Sequence, residues 1–376
     1  MLRRVLTRLF TTAEEAPLLI SDHSFVSQVK LYKPKALNSL DLEMISLLEQ
    51  AIINFHKDPE NKACLFLGSG KAFCAGGDIR ALYMAKQSEE NAYILSEFFK
   101  REYIVDYALA KLNQIQICIY DGIVMGGGVG ISIHAPIRIA TENSVFAMPE
   151  SGIGFFPDVG GSYFLPRLEG SLGVYLGVTG SRLAGHQLVQ TGIATHFVSK
   201  DKISALRDAL IRDINSNTKL EDIQQIVESF SDKPQEPFTE LEDIERCFNG
   251  ANSVEHIYKK LEEDSTDWAQ KKLKRLELLS PLSQKVIFEQ VKRGKNLSLE
   301  DCFAMEYRLS QQFMAGKEFF EGVRSTIIDK DKSPVWEYKN VFEVPQEAVF
   351  RHFEKITPDS PDLDVKIERE ELLKRP

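Results

Sequence analysis

The sequence predicts an α/β fold with an α-helical C-terminal extension. Three observations lead there. Short apolar strands alternate with longer amphipathic helices as far as residue 199, and glycine-rich turns follow two of those strands. Residues 200–325 are charge-rich and periodic, with no convincing strand.

The elements follow in order. FVSQVKLY (25–32) alternates as a strand, and SLDLEMISLLEQAIINFHKD (39–58) places apolar residues at helical spacing. ACLFLGS (63–69) is a short buried strand, and NAYILSEFFKREYIVDYALAKL (91–112) a long helix. QICIYDG (116–122) is the next strand and runs toward three glycines, Gly126 to Gly128. IRIAT (137–141) and SVFAM (144–148) are further short strands, followed by small helices in VYLGVTG (174–180) and AGHQLVQTG (184–192). DKPQEPF (232–238) reads as an internal linker before a set of amphipathic helices. Ile287, Val291, Met305 and Leu309 there are expected to pack on the first domain. The expected division is a domain over 16–231, a helical region over 239–355 and a loosely held tail over 356–376.

Composition narrows the function. With 43% hydrophobic and 27% charged residues the 376-residue chain is of the globular type. No apolar run reaches the roughly 18–20 residues that span a bilayer, and a net charge of −9 argues against a nucleic-acid partner. The five cysteines are widely spaced without a CxxC pair, a reduced-compartment pattern, and Cys74 beside a glycine turn reads as a packed free thiol. MLRRVLTRLFTTA interleaves Arg3, Arg4 and Arg8 with leucines and has no acid before Glu14. That is the pattern of a mitochondrial transit peptide over residues 1–15, hence an expected matrix location. The C-terminal ELLKRP is no peroxisomal signal.

Several chemistries lack their signatures. There is no GxSxG elbow; GSGKAF has Ala72 where a phosphate loop needs Ser or Thr; GGGVG has Ile131 where the dinucleotide fingerprint needs glycine; and the histidines form no HExxH pair. What remains is two glycine loops and a few carboxylates. KAFCAGGDIR (71–80) and MGGGVG (125–130) each follow a strand and open toward a helix. Two such loops meeting would aim two backbone N–H groups at one oxygen, an oxyanion hole.

KPKALNSL, KAFCAGGDIR, DGIVMGGGVG and FAMPESGIGFFPDVGGSYFLPRL resemble the enoyl-CoA hydratase/isomerase (crotonase) superfamily. The resemblance implies a core spiral of ββα turns over 16–231, an acyl-CoA substrate, and backbone donors for its thioester carbonyl at Gly77 and Gly127. Gly77, Asp78, Ile79 and Arg80 would lie along the CoA moiety, and no cofactor or metal is implied beyond the CoA of the substrate.

Hydratases of the superfamily use two glutamates, and here the first of those positions is Gly130. The second survives as Glu150, and Asp158 is added in FFPDVGG. That combination, with EYRLSQQFMAGKEFFEGVRSTIIDKDKSPVW near the C-terminus, is similar to the subfamily that hydrolyses 3-hydroxyisobutyryl-CoA in valine catabolism. 3-Hydroxypropionyl-CoA is a second expected substrate. Glu102 falls where the subfamily has an acidic substrate contact. Asn113 to Gln116 and Asp121 depart from the family pattern without touching the expected site.

Each acid also has a plainer reading. Glu150 could answer a helix dipole, Asp158 could cap a helix, Glu102 could be a solvated surface acid beside Lys100 and Arg101, and Glu142 is a turn residue. The resemblance favours the catalytic pair Glu150 and Asp158, with Glu150 attacking the carbonyl or activating water and Asp158 holding the substrate hydroxyl. Two alternatives remain open: an enoyl-CoA isomerase or hydratase, and a component of the mitochondrial small ribosomal subunit, which some members of the subfamily resemble. Trimers and hexamers are common in the superfamily, and the sequence leaves the homo-oligomeric state open.

Overall fold

The computed structural model describes residues 16–233 and 237–376. The expected transit peptide lies outside the described residues, as does the centre of the expected linker.

The strands are β1 (Leu18–His23), β2 (Val26–Leu31), β3 (Ala63–Gly68), β4 (Ala72–Cys74), β5 (Ile115–Tyr120), β6 (Ile123–Met125), β7 (Ile137–Ala140), β8 (Val145–Ala147), β9 (Leu183–Ala184) and β10 (His196–Phe197). They form two sheets, ordered β1-β2-β3-β5-β7-β10 and β4-β6-β8-β9. Each of the pairs β3/β4, β5/β6 and β7/β8 places its first strand in the large sheet and its second in the small one. Successive pairs therefore stack as turns of a ββα spiral, with the parallel register Ala63↔Ile115 and Ile117↔Ile137 linking them.

The parallel strands read as apolar runs because both faces of the large sheet are covered. Ala63, Leu65, Ile117, Ile119, Ile137 and Ile139 pack on helices Ile203–Asp213 and Leu220–Phe230. Cys64, Phe66, Cys118 and Tyr120 face the other way into the main core. There they meet α1 (Leu42–Lys57), capped by the Asp41 carboxylate on the Met44 N–H, and α3 (Tyr93–Ala110), which follows α2 (Ile79–Lys86). β1 escapes the alternation rule because it is an edge strand with one buried side chain, Leu18.

The C-terminal region is helical as the periodicity implies, and Ile287, Val291, Met305 and Leu309 are all buried. Helix Leu299–Ala315 lies against α3. One expectation fails here. Within the stretch read as a loose tail, residues Val365–Lys374 form a helix packed on α1 and α3. Leu363, Val365 and Leu372 are its buried anchors, and Glu368 and Arg375 pair with Lys100 at 2.7 Å and Glu49 at 3.4 Å. Apolar anchors spaced among charges are hard to see in sequence, but here they meet a complementary surface.

Candidate active site

Three short parallel strands of the small sheet end side by side, with Cys74 in register with Val124 and Met125 with Ala147. Ala75-Gly76-Gly77 continues the first, Gly126-Gly127 the second and Met148-Pro149-Glu150 the third. Such carboxyl ends are where α/β sheets open toward ligands. The loop 33–40 closes one side. Buried Asn38 donates to the carbonyls of Ser69, Ala72 and Phe73, and Leu40 pairs with Gly77 through Leu40 N–H to Gly76 O at 2.9 Å and Asp78 N–H to Leu40 O at 2.7 Å.

The two glycine loops touch. Gly76 (φ 109°) and Gly126 (φ 47°) adopt backbone conformations that side chains rarely take. A Cβ on Gly126 would sit 3.3 Å from the Cα of Gly76 and 3.4 Å from a Glu150 carboxyl oxygen. Gly127 opens the short helix α4 (Gly127–Gly130), so its N–H has no partner within that helix. No hydrogen bond among the described residues uses the N–H of Gly77 or of Gly127. The chain thus presents two unused N–H donors from adjoining loops beside one carboxyl.

That carboxyl has company. Glu102 projects from α3, and a Cβ on Gly127 would meet its Oε1 at 2.3 Å, on Gly77 at 3.9 Å. Asp158 accepts a 2.9 Å hydrogen bond from the Tyr103 hydroxyl, also on α3. Glu102, Glu150 and Asp158 are buried, and Oε1 of Glu102 and Oε2 of Glu150 find no partner among the described residues. Burial, reinforced by the charges of Asp158 and Glu150, raises the Glu102 pKa well above the carboxylate range. Glu150 is raised by the same burial and by Asp158. Asp158 is pushed up to about 7 by burial, with the Tyr103 hydrogen bond working against it.

The plainer reading of Glu102 as a solvated surface acid does not describe the molecule, whereas Glu150 does stand at a helix start. Glu102 is 2% exposed. Glu150 starts a short 3-10 helix (Glu150–Ile153), and the helix α5 (Gly161–Phe164) has Gly160 rather than Asp158 at its cap position. Asp78 caps α2 by accepting the Ala81 N–H, with Ile79 half-buried and Arg80 exposed on the rim beside Gly77. Glu142 lies in a turn and accepts the Lys200 N–H. Cys74 is a buried thiol held up at about 12 by that burial.

Three buried residues of the cluster escape sequence reasoning: Tyr103, Asp106 and Glu306. The i, i+4 spacing of Glu102 and Asp106 puts two acids on one helical face, and Asp106 is flanked by apolar residues in YIVDYAL. That was the available signal. Asp106 lies against Gly130, where a Cβ would meet its Oδ2 at 2.5 Å and the Cβ of Val159 at 2.6 Å. The space of a side chain at 130 is therefore already filled. Gly130→Ala should cost about 1–3 kcal/mol through overpacking, read as a lower urea midpoint at unchanged slope, and Gly130→Glu should gain no crotonyl-CoA hydration.

Val159, next to Asp158, has φ 52°, unusual for a β-branched residue and costing about 1–3 kcal/mol when the surroundings enforce it. Glu306, from helix Leu299–Ala315, accepts the N–H groups of Gly160 and Ser162 at 2.8 Å each. Burial lifts the Glu306 pKa to about 8 despite those two donors.

The enoyl-CoA hydratase/isomerase family model matches residues 26–353. The chain belongs to that family. Among curated relatives, the mitochondrial 3-hydroxyisobutyryl-CoA hydrolase of Dictyostelium discoideum is 42% identical over 363 residues, covering 93% of this chain and 94% of that protein. The human protein of the same description is 40% identical over 352 residues, covering 92% and 89%. A solved structure described as a carnitinyl-CoA dehydratase from Mycobacterium thermoresistibile superposes with a TM-score of 0.85 at 30% identity, covering 93% of this chain and 99% of that one. The spiral core and the helical extension are thus a family architecture, covered almost end to end.

Proposed function

We propose that this enzyme hydrolyses the thioester of 3-hydroxyisobutyryl-CoA to the free hydroxy acid and CoA. One observation carries the reading: relatives about 40% identical over nine-tenths of the chain bear that activity in their description. The geometry supplies a route. The thioester oxygen accepts from the N–H groups of Gly77 and Gly127, which polarises the carbonyl. Glu150, beside both loops, either takes a proton from the water that attacks the carbonyl carbon or attacks that carbon itself, forming an anhydride that water then cleaves to release the acid and restore the carboxylate. The C–S bond breaks, the sulfur leaves with a proton, and the acyl carbon ends bearing the water oxygen. Buried carboxyls this close do not all ionise together, so the neighbours of a charged Glu150 keep their protons.

A hydroxyl on the acyl chain suits this site. Asp158, steadied by Tyr103, and Glu102 are the acids available to hydrogen-bond it. A buried carboxyl left without such a partner is costly, which favours a hydroxylated over a plain acyl group. 3-Hydroxypropionyl-CoA carries the same β-hydroxyl and is the second substrate of this reading. Gly77, Asp78, Ile79 and Arg80 line the CoA side. The mechanism uses no cofactor or metal. The reaction belongs to valine catabolism, the mitochondrial naming of the relatives supports a mitochondrial setting, and the matrix is the compartment of this reading. Among the described residues no helix is long and apolar enough to cross a membrane.

The test is thiol release from 3-hydroxyisobutyryl-CoA alongside crotonyl-CoA hydration. Thiol release with negligible hydration supports the reading, and the reverse overturns it.

The titration of Asp158 gives a separate prediction. Its folded pKa of about 7 lies above the ordinary 3.8. Between those values the folded chain holds a proton that the unfolded chain releases. The associated stability is therefore complete below the unfolded pKa and falls as pH rises, by about 1.4 kcal/mol per pH unit for one proton, levelling off above the folded pKa. Asp158→Asn should flatten that slope in urea midpoints measured from pH 5 to 8. A slope equal to that of wild type would count against the assignment.

A further inference from the structure

The C-terminal helical extension grips the loop that carries Asp158 through the side chains of Glu306 and Gln290. Glu306 is fully buried, and its two carboxyl oxygens accept separately from the N–H groups of Gly160 and Ser162. The first donor, Gly160 (φ 89°), forms a left-handed pair with Val159 (φ 52°), which directly follows Asp158, and the second lies two residues further on. A β-branched residue stays in that conformation only where neighbouring contacts over-determine it. Asp158 is thus fixed at two ends: its carboxyl by the Tyr103 hydroxyl of α3, its following backbone by Glu306. The grip is itself framed by Gln290, whose amide donates to Pro157 O at 2.6 Å and to the Ser162 hydroxyl at 2.8 Å. Both supports come from helices of the extension, Pro281–Gly294 and Leu299–Ala315.

We propose that Glu306 is a positioning residue for thioester hydrolysis, its two-pronged hold on Gly160 and Ser162 setting where Asp158 meets the hydroxyl of the acyl group. The C-terminal extension then completes the active site in addition to covering the core. This deepens the hydrolase reading and rests on the role of Asp158 within it.

The experiment is a double-mutant cycle on the full chain, following thiol release from 3-hydroxyisobutyryl-CoA for wild type, Glu306→Gln, Asp158→Asn and the double variant. Glutamine keeps one acceptor and turns an NH2 group toward the second N–H, so the loop loses one prong. A displacement of the order of 1 Å at a reacting group can cost about 100-fold, so Glu306→Gln should lower kcat by about 10–100-fold. The expected result is that the double variant is no slower than Asp158→Asn alone, because the two act through one group. Effects that multiply, or a lowered Tm with kcat unchanged, would overturn the proposal and leave Glu306 a structural cap. Glu306→Asp, which keeps both acceptors on a shorter arm, should fall between wild type and Gln and provides the same cycle if the Gln variant fails to fold. Absence of thiol release by wild type would instead remove the hydrolase reading, so the two failures are distinguishable.

Discussion

Replacing Glu150 by Gln is expected to lower kcat for thiol release from 3-hydroxyisobutyryl-CoA by about 10²–10⁴-fold, with KM little changed. The magnitude is that of removing a positioned proton acceptor from a transition state. The split between kcat and KM follows from the role proposed for the side chain, which is to act at the reacting carbonyl and not along the CoA side proposed for Gly77 to Arg80. Gln has nearly the same volume and the same oxygen beside Gly126, so the packing around position 150 should survive. Burial without a partner for Oε2 also makes the carboxyl dear to keep, and replacing it by a neutral amide should leave stability equal or higher. A folded, slightly stabilised and nearly inactive variant is the outcome that places Glu150 at the chemistry. Unaltered kcat would move the reaction to Asp158 or Glu102.

The second large effect is expected from a single methyl group. Gly127 has an ordinary helical backbone, so alanine there carries no conformational penalty. Its Cβ, however, would meet Glu102 Oε1 at 2.3 Å and Leu40 Cδ1 at 2.9 Å. Either Glu102 is expelled or α4 turns, and turning α4 swings the Gly127 N–H away from its proposed place at the thioester carbonyl. Loss of one oxyanion donor is worth about 10²–10³ in kcat. Gly127→Ala should therefore lose activity on that scale while remaining folded by circular dichroism. Combining it with Glu102→Ala, which clears the space, should restore part of the rate. No recovery in the double variant would argue that the methyl blocks the substrate directly.

The glycine loops and the positions of Glu150 and Asp158 beside them were legible because their information is local. Three glycines after a strand, and Pro149-Glu150 before FFPDVGG, occupy contiguous segments whose turn chemistry is written in the residues themselves. Asp106 and Glu306 belong to another kind of information. Asp106 stands among apolar residues of a helix, and its partner in space is the missing side chain of Gly130. Glu306 sits 146 residues from the N–H group it accepts. The stripe of Cys302, Phe303, Leu309 and Phe313 puts it on the buried face of its helix, but nothing near it in sequence names the N–H groups it meets.

By itself, then, the sequence determined the alternation of strands and helices, the helical extension and the two glycine loops, because periodicity and glycine turns are properties of short windows, while the resemblance pointed to Glu150 and Asp158. Tertiary structure decided the rest. It buried Glu102, for which substrate contact and solvated surface acid had both been open, behind Gly127, filled the space at Gly130 with Asp106, and brought Glu306 to the loop after Asp158. It also docked residues 365–374 on α1 and α3 where a loose tail was expected. The physical reason is common to all four. Burial, desolvation and complementary charge are set by which surfaces meet, and those meetings span separations that no local pattern encodes.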